Sequence, residues 1–315
     1  MGKPLYPDPQ TLVNRGFFSL RAPEVRYHAL VTGSALLLVV GAAVLHAVWN
    51  ALTKRGRDQL VFLWCSVTLA TLLLAPIGGW LILREGFPPA ALPFVVATVV
   101  LHALYFWALG RSYGSGEYSL VYPIARGLGV AVVPLLAVPL FDERPSWLGA
   151  LGVALVVLGI GALHLVPRPG PRSRWRPGAE TWWAVLTGVT IAAYSLVDKA
   201  GVGRLHPVPY ITLMGLGSVA LMLPSIVARR AALSRELAVN WRAILIASTM
   251  NLTAYLLVLF AFRLSKVGYV VAARELSIVF SAFIGSLWLG EGKLGPRLAG
   301  AAVILAGVAC IAFAR

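Results

Sequence analysis

Charged residues are scarce in this sequence. Only 12% of the 315 residues are charged and 59% are hydrophobic, whereas a water-soluble domain of this length needs far more polar surface. The composition excludes a soluble fold and indicates an integral membrane protein. The apolar segments also lack the polar–apolar alternation of membrane β-strands, so we expect an all-α protein.

Motifs for metal or ATP chemistry are also lacking. The sequence has no His-Glu-x-x-His zinc motif and no Gly-x4-Gly-Lys-Ser/Thr phosphate-binding loop, and no loop is long enough to form its own active site. We therefore expect no enzyme, no ATP-driven pump, no cofactor and no metal. A membrane-embedded enzyme acting on lipid is the alternative from another class, and a non-transporting membrane sensor is a third.

Cysteine is rare and basic residues are in excess. Cys65 and Cys310 fall inside apolar segments, where we interpret them as small buried side chains. The net charge is +15, but apart from Arg126 and Arg274 the Lys and Arg residues fall in predicted loops and at helix ends. We therefore expect membrane lipid, not nucleic acid, as the partner of this charge.

Apolar windows long enough to span a bilayer fill most of the chain. A span needs about 20 apolar residues. The predicted spans are residues 30–52, 60–83, 90–109, 118–141, 147–166, 182–197, 208–228, 243–262, 267–289 and 294–313.

The chain also contains an internal repeat. Arg126, Glu143, Gly152 and Gly159 recur 148 residues later as Arg274, Glu291, Gly300 and Gly307, without a gap. A Pro- and Arg-rich linker, residues 167–181, divides the predicted spans into a first repeat (residues 30–166) and a second repeat (residues 182–315), after a polar or interfacial segment of residues 1–29 without a cleavable signal peptide. Five spans is an odd number, so the second repeat enters the bilayer from the opposite side, as in inverted-repeat transporters.

The motifs in these spans resemble the EamA family of the drug/metabolite transporter superfamily. They are His46-Ala-Val-Trp49-Asn50 with Lys54, residues 116–126 ending in Tyr122-Pro-Ile-Ala-Arg126, residues 267–275, and Leu-Gly-Glu at residues 289–291. The resemblance implies a ten-helix exporter or importer in the bacterial inner membrane, with a cavity between the halves and both termini cytoplasmic. The distribution of Lys and Arg between the two sets of loops leans slightly toward the opposite orientation.

Arg126 and Arg274 are the main candidate substrate-binding residues. Burying one arginine costs roughly 2.5–3.5 kcal/mol on insertion scales, so each needs a partner or a function. In one interpretation both face the cavity and grip a carboxylate or phosphate. In the other they form internal ion pairs, with Glu275 as a counter-ion better placed for Arg126 than for its neighbour.

Polar and aromatic residues at helical spacing give further candidates. We expect them to line a polar cavity, although interhelical hydrogen bonding would explain any one of them. The candidate substrate-binding residues besides the arginines are Trp49, Asn50, Tyr105, Tyr122, Tyr194 and Tyr255. Glu275, His46 and His102 are candidates for proton coupling or ion pairing.

Residues at the helix ends are expected to have structural roles. Lys54, Asp198 and Lys199 should extend to the interface, and Glu143 and Glu291 should cap the helix that follows each of them. The glycines of the fifth and tenth spans should permit close helix packing. The predicted function is secondary transport of a small anionic or zwitterionic metabolite by alternating access, with a homodimer as a candidate assembly.

Overall fold

The computed structural model describes residues 33–115, 118–164, 179–280 and 294–314, and within them the secondary structure is helical. A short 3-10 turn, Pro89–Ala91, precedes the third helix. The helices are α1 (Gly33–Arg55), α2 (Gln59–Glu85), α3 (Leu92–Ser115), α4 (Tyr118–Phe141), α5 (Trp147–His164), α6 (Ala179–Val202), α7 (Pro207–Val227), α8 (Arg230–Leu264), α9 (Val267–Arg274) and α10 (Leu294–Ala312).

Six of these helices are long and apolar enough to cross a membrane, namely α1, α2, α3, α6, α7 and α8. Shorter apolar helical stretches lie within α4, α5 and α10. Large apolar side chains face outward, as a bundle in lipid requires, and Leu37 and Leu83 are 74% and 88% exposed. Trp147 and Trp182, near the starts of α5 and α6, are also exposed, as expected for residues at a membrane interface.

Two helices differ strongly from the spans predicted from the sequence. The eighth span was predicted at residues 243–262, but α8 runs for 35 residues from Arg230 to Leu264. At about 1.5 Å per residue it is roughly 52 Å long, well beyond the hydrocarbon core. α9 ends after only 8 residues at Arg274, and helical backbone resumes over residues 276–280 after a turn at Glu275.

The closest helix packing joins α5 and α10. A Cβ added at Gly152 would lie 2.7 Å from the carbonyl oxygen of Gly307, and one at Gly159 would lie 2.9 Å from that of Gly300. Residue numbers rise along one helix as they fall along the other, so the two helices are antiparallel. These glycines therefore have the packing role expected from the sequence.

The other major contacts join the two halves of the chain. α1 packs on α8, α6 packs on both α3 and α4, and α2 packs on both α7 and α8. α3 packs on α7 in addition. The centre of the bundle is therefore built by helices from both halves, and the candidate site lies there.

Candidate functional site

A cavity that is partly open to the outside lies between α1, α2, α3, α6, α7 and α8, and the empty space in it, counted together with adjoining open space, is about 560 Å³. Its wall combines aliphatic residues of α2 and α7 with polar and aromatic side chains. A second space of about 210 Å³ between α1 and α8 shares His46, Tyr255 and Arg274 with the first. Of the residues predicted from the sequence, the cavity wall includes His46, Trp49, His102, Tyr105, Tyr194, Tyr255 and Arg274.

Arg126 is held in an ion pair and is not part of the cavity wall. Its Nη2 lies 2.8 Å from Glu275 Oε1, and its Nε donates to Glu275 Oε2 over 3.0 Å. A third contact, 3.2 Å long, joins Arg126 Nη2 to Ser277 Oγ, and His46 Nε2 lies 3.2 Å from Nη1. Of the two interpretations of Arg126, this geometry favours internal ion pairing over substrate contact.

Arg274 is in a different situation. It is 5% exposed, it ends α9, and its guanidinium carbon lies 6.0 Å from the centre of the Tyr255 ring. Among the described residues its guanidinium forms no hydrogen bond or ion pair. The cavity wall therefore contains one guanidinium whose donors have no described protein acceptor.

The two arginines differ because the repeat diverges at their partners. In the 148-residue register Glu275 corresponds to Gly127, and Ser277 corresponds to Gly129. A glycine has no acceptor on its side chain, so the second arginine lacks the counterpart of the carboxylate and hydroxyl that hold the first. The difference between the two repeats is visible in the sequence, but only the structure shows that Arg126 is paired with Glu275 and Ser277.

Two other predicted residues are not on the cavity wall as described. Asn50 is directed toward α3, where its side chain accepts from the Tyr113 hydroxyl over 3.1 Å, and it also donates to the His46 carbonyl over 2.8 Å. These bonds fix helix packing. Tyr122 belongs to α4, and its side chain lies outside the described residues.

Asp198 corrects one expectation from the sequence. It was expected to reach the membrane interface, but its side chain is fully buried between α3, α7 and α8. Its Oδ1 accepts hydrogen bonds from Thr98 Oγ1 (2.6 Å) and the Tyr210 hydroxyl (2.8 Å), and its Oδ2 accepts from the Tyr255 hydroxyl. The signal for this position in the sequence is its spacing from Thr190 and Tyr194, which puts all three residues on the polar face of α6.

Glu143 and Lys199 correct two further expectations. Lys199 is buried, donates to the carbonyls of Phe262 and Ser265, and lies 3.6 Å from Glu143. Glu143 Oε2 accepts from the backbone N–H of Val267, so it caps the start of α9 and not the helix that follows it. Burial raises the pKa of the Glu143 carboxyl, and Lys199 and the N–H of Val267 oppose that rise. This cluster connects the ends of α4, α6 and α8.

One enzyme-like motif is present in the sequence. Residues 110–114 read Gly-Arg-Ser-Tyr-Gly, the spacing of the nucleophile elbow of α/β-hydrolases. That motif needs a strand–turn–helix context, whereas Ser112 lies inside α3 and donates to the Leu109 carbonyl over 2.9 Å. The spacing therefore carries no indication of a hydrolase. Within the described ranges, no cluster of His, Cys, Asp or Glu has the composition of a metal site.

Comparison with known proteins places this chain in a known family. The sequence profile of the EamA-like transporter family matches residues 179–313. Over 113 residues the chain is 32% identical to the nicotine metabolites export pump subunit NepA of Paenarthrobacter nicotinovorans, an alignment that covers 36% of this chain and 95% of NepA. Over 163 residues it is 29% identical to the probable 4-amino-4-deoxy-L-arabinose-phosphoundecaprenol flippase subunit ArnF of Pseudomonas fluorescens strain Pf0-1, covering 48% of this chain and 98% of ArnF.

A protein of known crystal structure has the same fold. It superimposes with a TM-score of 0.65 at 15% identity, covering 89% of this chain and 97% of the other. The family profile, the identity to NepA over nearly its whole length and the membrane-spanning helices agree with one another. The chain is therefore a multi-pass membrane protein that belongs to the EamA-like transporter family of the drug/metabolite transporter superfamily.

Proposed function

We propose that the chain is a secondary transporter that moves a small anionic or zwitterionic metabolite by alternating access, with Arg274 as the residue that binds the anionic group. The observation that carries the proposal is the contrast between the two arginines. Arg126 is neutralised by Glu275, whereas Arg274 lies on the cavity wall without a described acceptor. A guanidinium in a low-dielectric cavity favours a carboxylate or phosphate that it can bind bidentately.

The remainder of the cavity favours a substrate with a flat apolar body. Tyr105, Tyr194 and Tyr255 are on the wall, and the ring of His102 lies 4.3 Å from that of Tyr194. Aromatic walls contribute large apolar contact area, and polar groups at a few points fix the orientation of the ligand. An aromatic carboxylate or amino acid combines both properties.

Helix packing supports the two inverted repeats that alternating access needs. The α5–α10 contact pairs Gly152 with Gly307 and Gly159 with Gly300, and exchanging each glycine for its 148-residue counterpart returns the same two pairs. Packing of α1 on α8 likewise matches packing of α6 on α3 when the halves are exchanged. An antiparallel crossing of equivalent helices is the arrangement expected for a two-fold axis in the membrane plane.

The relatives support the same organisation. NepA and ArnF are aligned over nearly their whole length but match only 36% and 48% of this chain, and both are described as subunits, so this chain is roughly two to three times as long as either one. We therefore retain residues 30–166 and 182–315 as the two repeats. Location in the bacterial inner membrane, cytoplasmic termini and assembly as a homodimer belong to the proposal as well.

The proposal is tested with four ligands that share a phenyl ring and differ in charge. Binding of phenylacetate, phenylalanine, phenethylamine and 2-phenylethanol to purified protein is measured by titration calorimetry, and flux is measured in proteoliposomes. We expect phenylacetate or phenylalanine to bind and to be transported, and Arg274→Gln to weaken binding by roughly 10- to 100-fold, because a charged hydrogen bond contributes about 1.5–3 kcal/mol.

Arg263→Gln is the matched control, because this half-exposed arginine in the last turn of α8 is not on the cavity wall. It should leave binding and flux unchanged. Tighter binding of phenethylamine than of phenylacetate, or equal binding by wild type and Arg274→Gln, would refute an anion site at this arginine. Ligand binding with no flux would favour the sensor alternative over the transporter.

A further inference from the structure

Asp198 stands apart from the other buried carboxylates by the groups that hold it. In the described part of the chain Glu275 is paired with Arg126, and Glu143 has Lys199 and a backbone N–H. Glu236 accepts from the backbone N–H of Asp58 and from Asn240 Nδ2. All of these groups can only donate, so each one requires a lone pair on the carboxylate.

The donors to Asp198 are of another kind. Thr98, Tyr210 and Tyr255 each present a hydroxyl to its two oxygens. A hydroxyl can donate to a carboxylate and can turn to accept from a carboxylic acid, so the same cage satisfies Asp198 in both protonation states. No Lys or Arg of the described residues forms an ion pair with it, and the nearest nitrogen that can carry a charge is His102 Nε2 at 3.9 Å. An ionisable residue at this depth is a functional candidate by default.

Tyr255 connects this carboxylate to the anion site. Its hydroxyl donates to Asp198, and its ring lies on the cavity wall facing the guanidinium of Arg274. His102 makes a second link, because it is also on the wall and its Nδ1 lies 3.0 Å from Thr98 Oγ1. An anion that enters the cavity is therefore separated from Asp198 by one side chain. The added negative charge favours the neutral form of Asp198, and by linkage the neutral form favours the anion.

We infer that Asp198 takes up a proton when an anion binds in the cavity, so that the substrate and a proton bind and move together. The inference rests on the proposed anion site at Arg274. It names a coupling ion and a residue for it, and charge balances because one anion enters with one proton bound to the Asp198 carboxylate. His46, His102 and Glu275, the candidates from the sequence, then have other roles: Glu275 is held by Arg126, and the histidines lie on the cavity wall.

Other titratable and charged groups surround Asp198 on each packed helix. α3 contributes His102, α7 contributes Tyr210 and α8 contributes Tyr255. On α6 itself Lys199 points away toward Glu143 and the end of α8. Beyond these, α9 presents Arg274 behind Tyr255, and α4 carries Arg126 in its pair with Glu275. Among the described residues, His102 is the titratable group next to Asp198 that the experiment must separate from it, and His46, on the cavity wall with Arg274, is a second group that could take up a proton when an anion binds.

The test is titration calorimetry of phenylacetate into the purified full chain at several pH values between about 5.5 and 8.5, in two buffers that differ in ionisation enthalpy and contain no oxyanion that Arg274 could bind. The difference in heat between the buffers gives the protons taken up per anion. We expect wild type to take up as much as one proton, with affinity that rises by up to about tenfold per pH unit as the pH falls. Asp198→Asn, which mimics the protonated state, should bind with the low-pH affinity at every pH and take up no proton.

Two further variants keep the inference falsifiable. Thr98→Val removes one donor to the ionised form, so the pH at which affinity begins to fall should move upward, and an unchanged midpoint overturns the inference even if Asp198→Asn does not fold. His102→Gln should keep the proton uptake. Uptake that persists in Asp198→Asn, or that disappears only in His102→Gln, overturns it as well. Binding that depends on Arg274 without proton uptake overturns this inference and leaves the proposed function intact, whereas wild type that binds no phenylacetate overturns both.

Discussion

Replacing one partner of the Arg126–Glu275 ion pair should lower the free energy of unfolding far more than replacing both partners. Both side chains are about 4% exposed, and two contacts of 2.8 and 3.0 Å join them. Replacing one partner leaves the other charged group buried and unpaired, which typically costs about 3–5 kcal/mol. Replacing both with apolar side chains of similar volume removes the desolvation cost together with the attraction, and such replacements are often neutral or stabilising by about 1–4 kcal/mol.

The assay is a double-mutant cycle on the free energy of unfolding in mixed detergent micelles. The variants are Arg126→Met, Glu275→Leu and the combination of the two. Each single variant should lose about 3–5 kcal/mol, and the double variant should recover most of that loss, so the interaction energy should be about 3 kcal/mol or more.

Arg274→Met is the internal control, because it removes the repeat-equivalent arginine that has no described ion pair. It should cost no stability, since an unpaired buried charge is itself unfavourable. The reasoning fails if the two arginine variants lose equal stability, or if the double variant loses the sum of the single losses.

Three further predictions concern parts of the fold away from the cavity. Gly152→Leu should destabilise the bundle by about 1–3 kcal/mol in thermal unfolding because its Cβ would meet a carbonyl of α10, whereas Gly161→Leu, with open space around its Cβ, should be neutral. Glu143→Gln should change the pH dependence of unfolding. The pKa of the Glu143 carboxyl is raised in the native state, so the native protein binds the carboxyl proton more tightly than the unfolded chain does. The free energy of unfolding of wild type should therefore fall, relative to that of the variant, as the pH rises through this pKa. Glu236→Gln should lower the free energy of unfolding in detergent by about 1–3 kcal/mol, because this side chain is buried. Arg229→Gln removes an ion pair with Asp58 that is partly exposed, so it should lower the same free energy by about 1 kcal/mol or less.

The sequence predicted the membrane class, the all-α fold and the family, because long apolar runs and glycine spacing report directly on spanning and packing. Prediction was poorer at the helix ends. Asp198 and Lys199 follow the last residue of the predicted sixth span, yet α6 continues to Val202 and buries both. Their partners, Thr98 and Phe262, are 100 and 63 residues away along the chain. Periodicity within one helix contains no information on such contacts.

The partner of Glu143 shows the same limit. A glutamate just before a helix is commonly read as a cap for that helix, and α5 follows after three residues. In the structure the cap of α5 is Ser146, whose hydroxyl accepts from the N–H of Gly149, and Glu143 is free to reach the N–H of Val267 in the other half. Sequence position alone predicted that Glu143 caps a helix, but not that the capped helix is α9.

The asymmetry of the two arginines allows one more prediction, in which symmetry is restored. Gly127 corresponds to Glu275 in the repeat, and a Cβ added there would make only an ordinary contact, 3.5 Å from Ile160. If the halves are related by a two-fold axis, Gly127→Glu places a carboxylate beside Arg274 as Glu275 lies beside Arg126. The new pair should neutralise the cavity, so phenylacetate binding should fall by at least as much as in Arg274→Gln.

Gly127→Gln has nearly the same size without the charge and should retain most of the binding. Equal losses in the two Gly127 variants would mean that bulk blocks the cavity, and normal binding in Gly127→Glu would contradict the two-fold relation of the arginines.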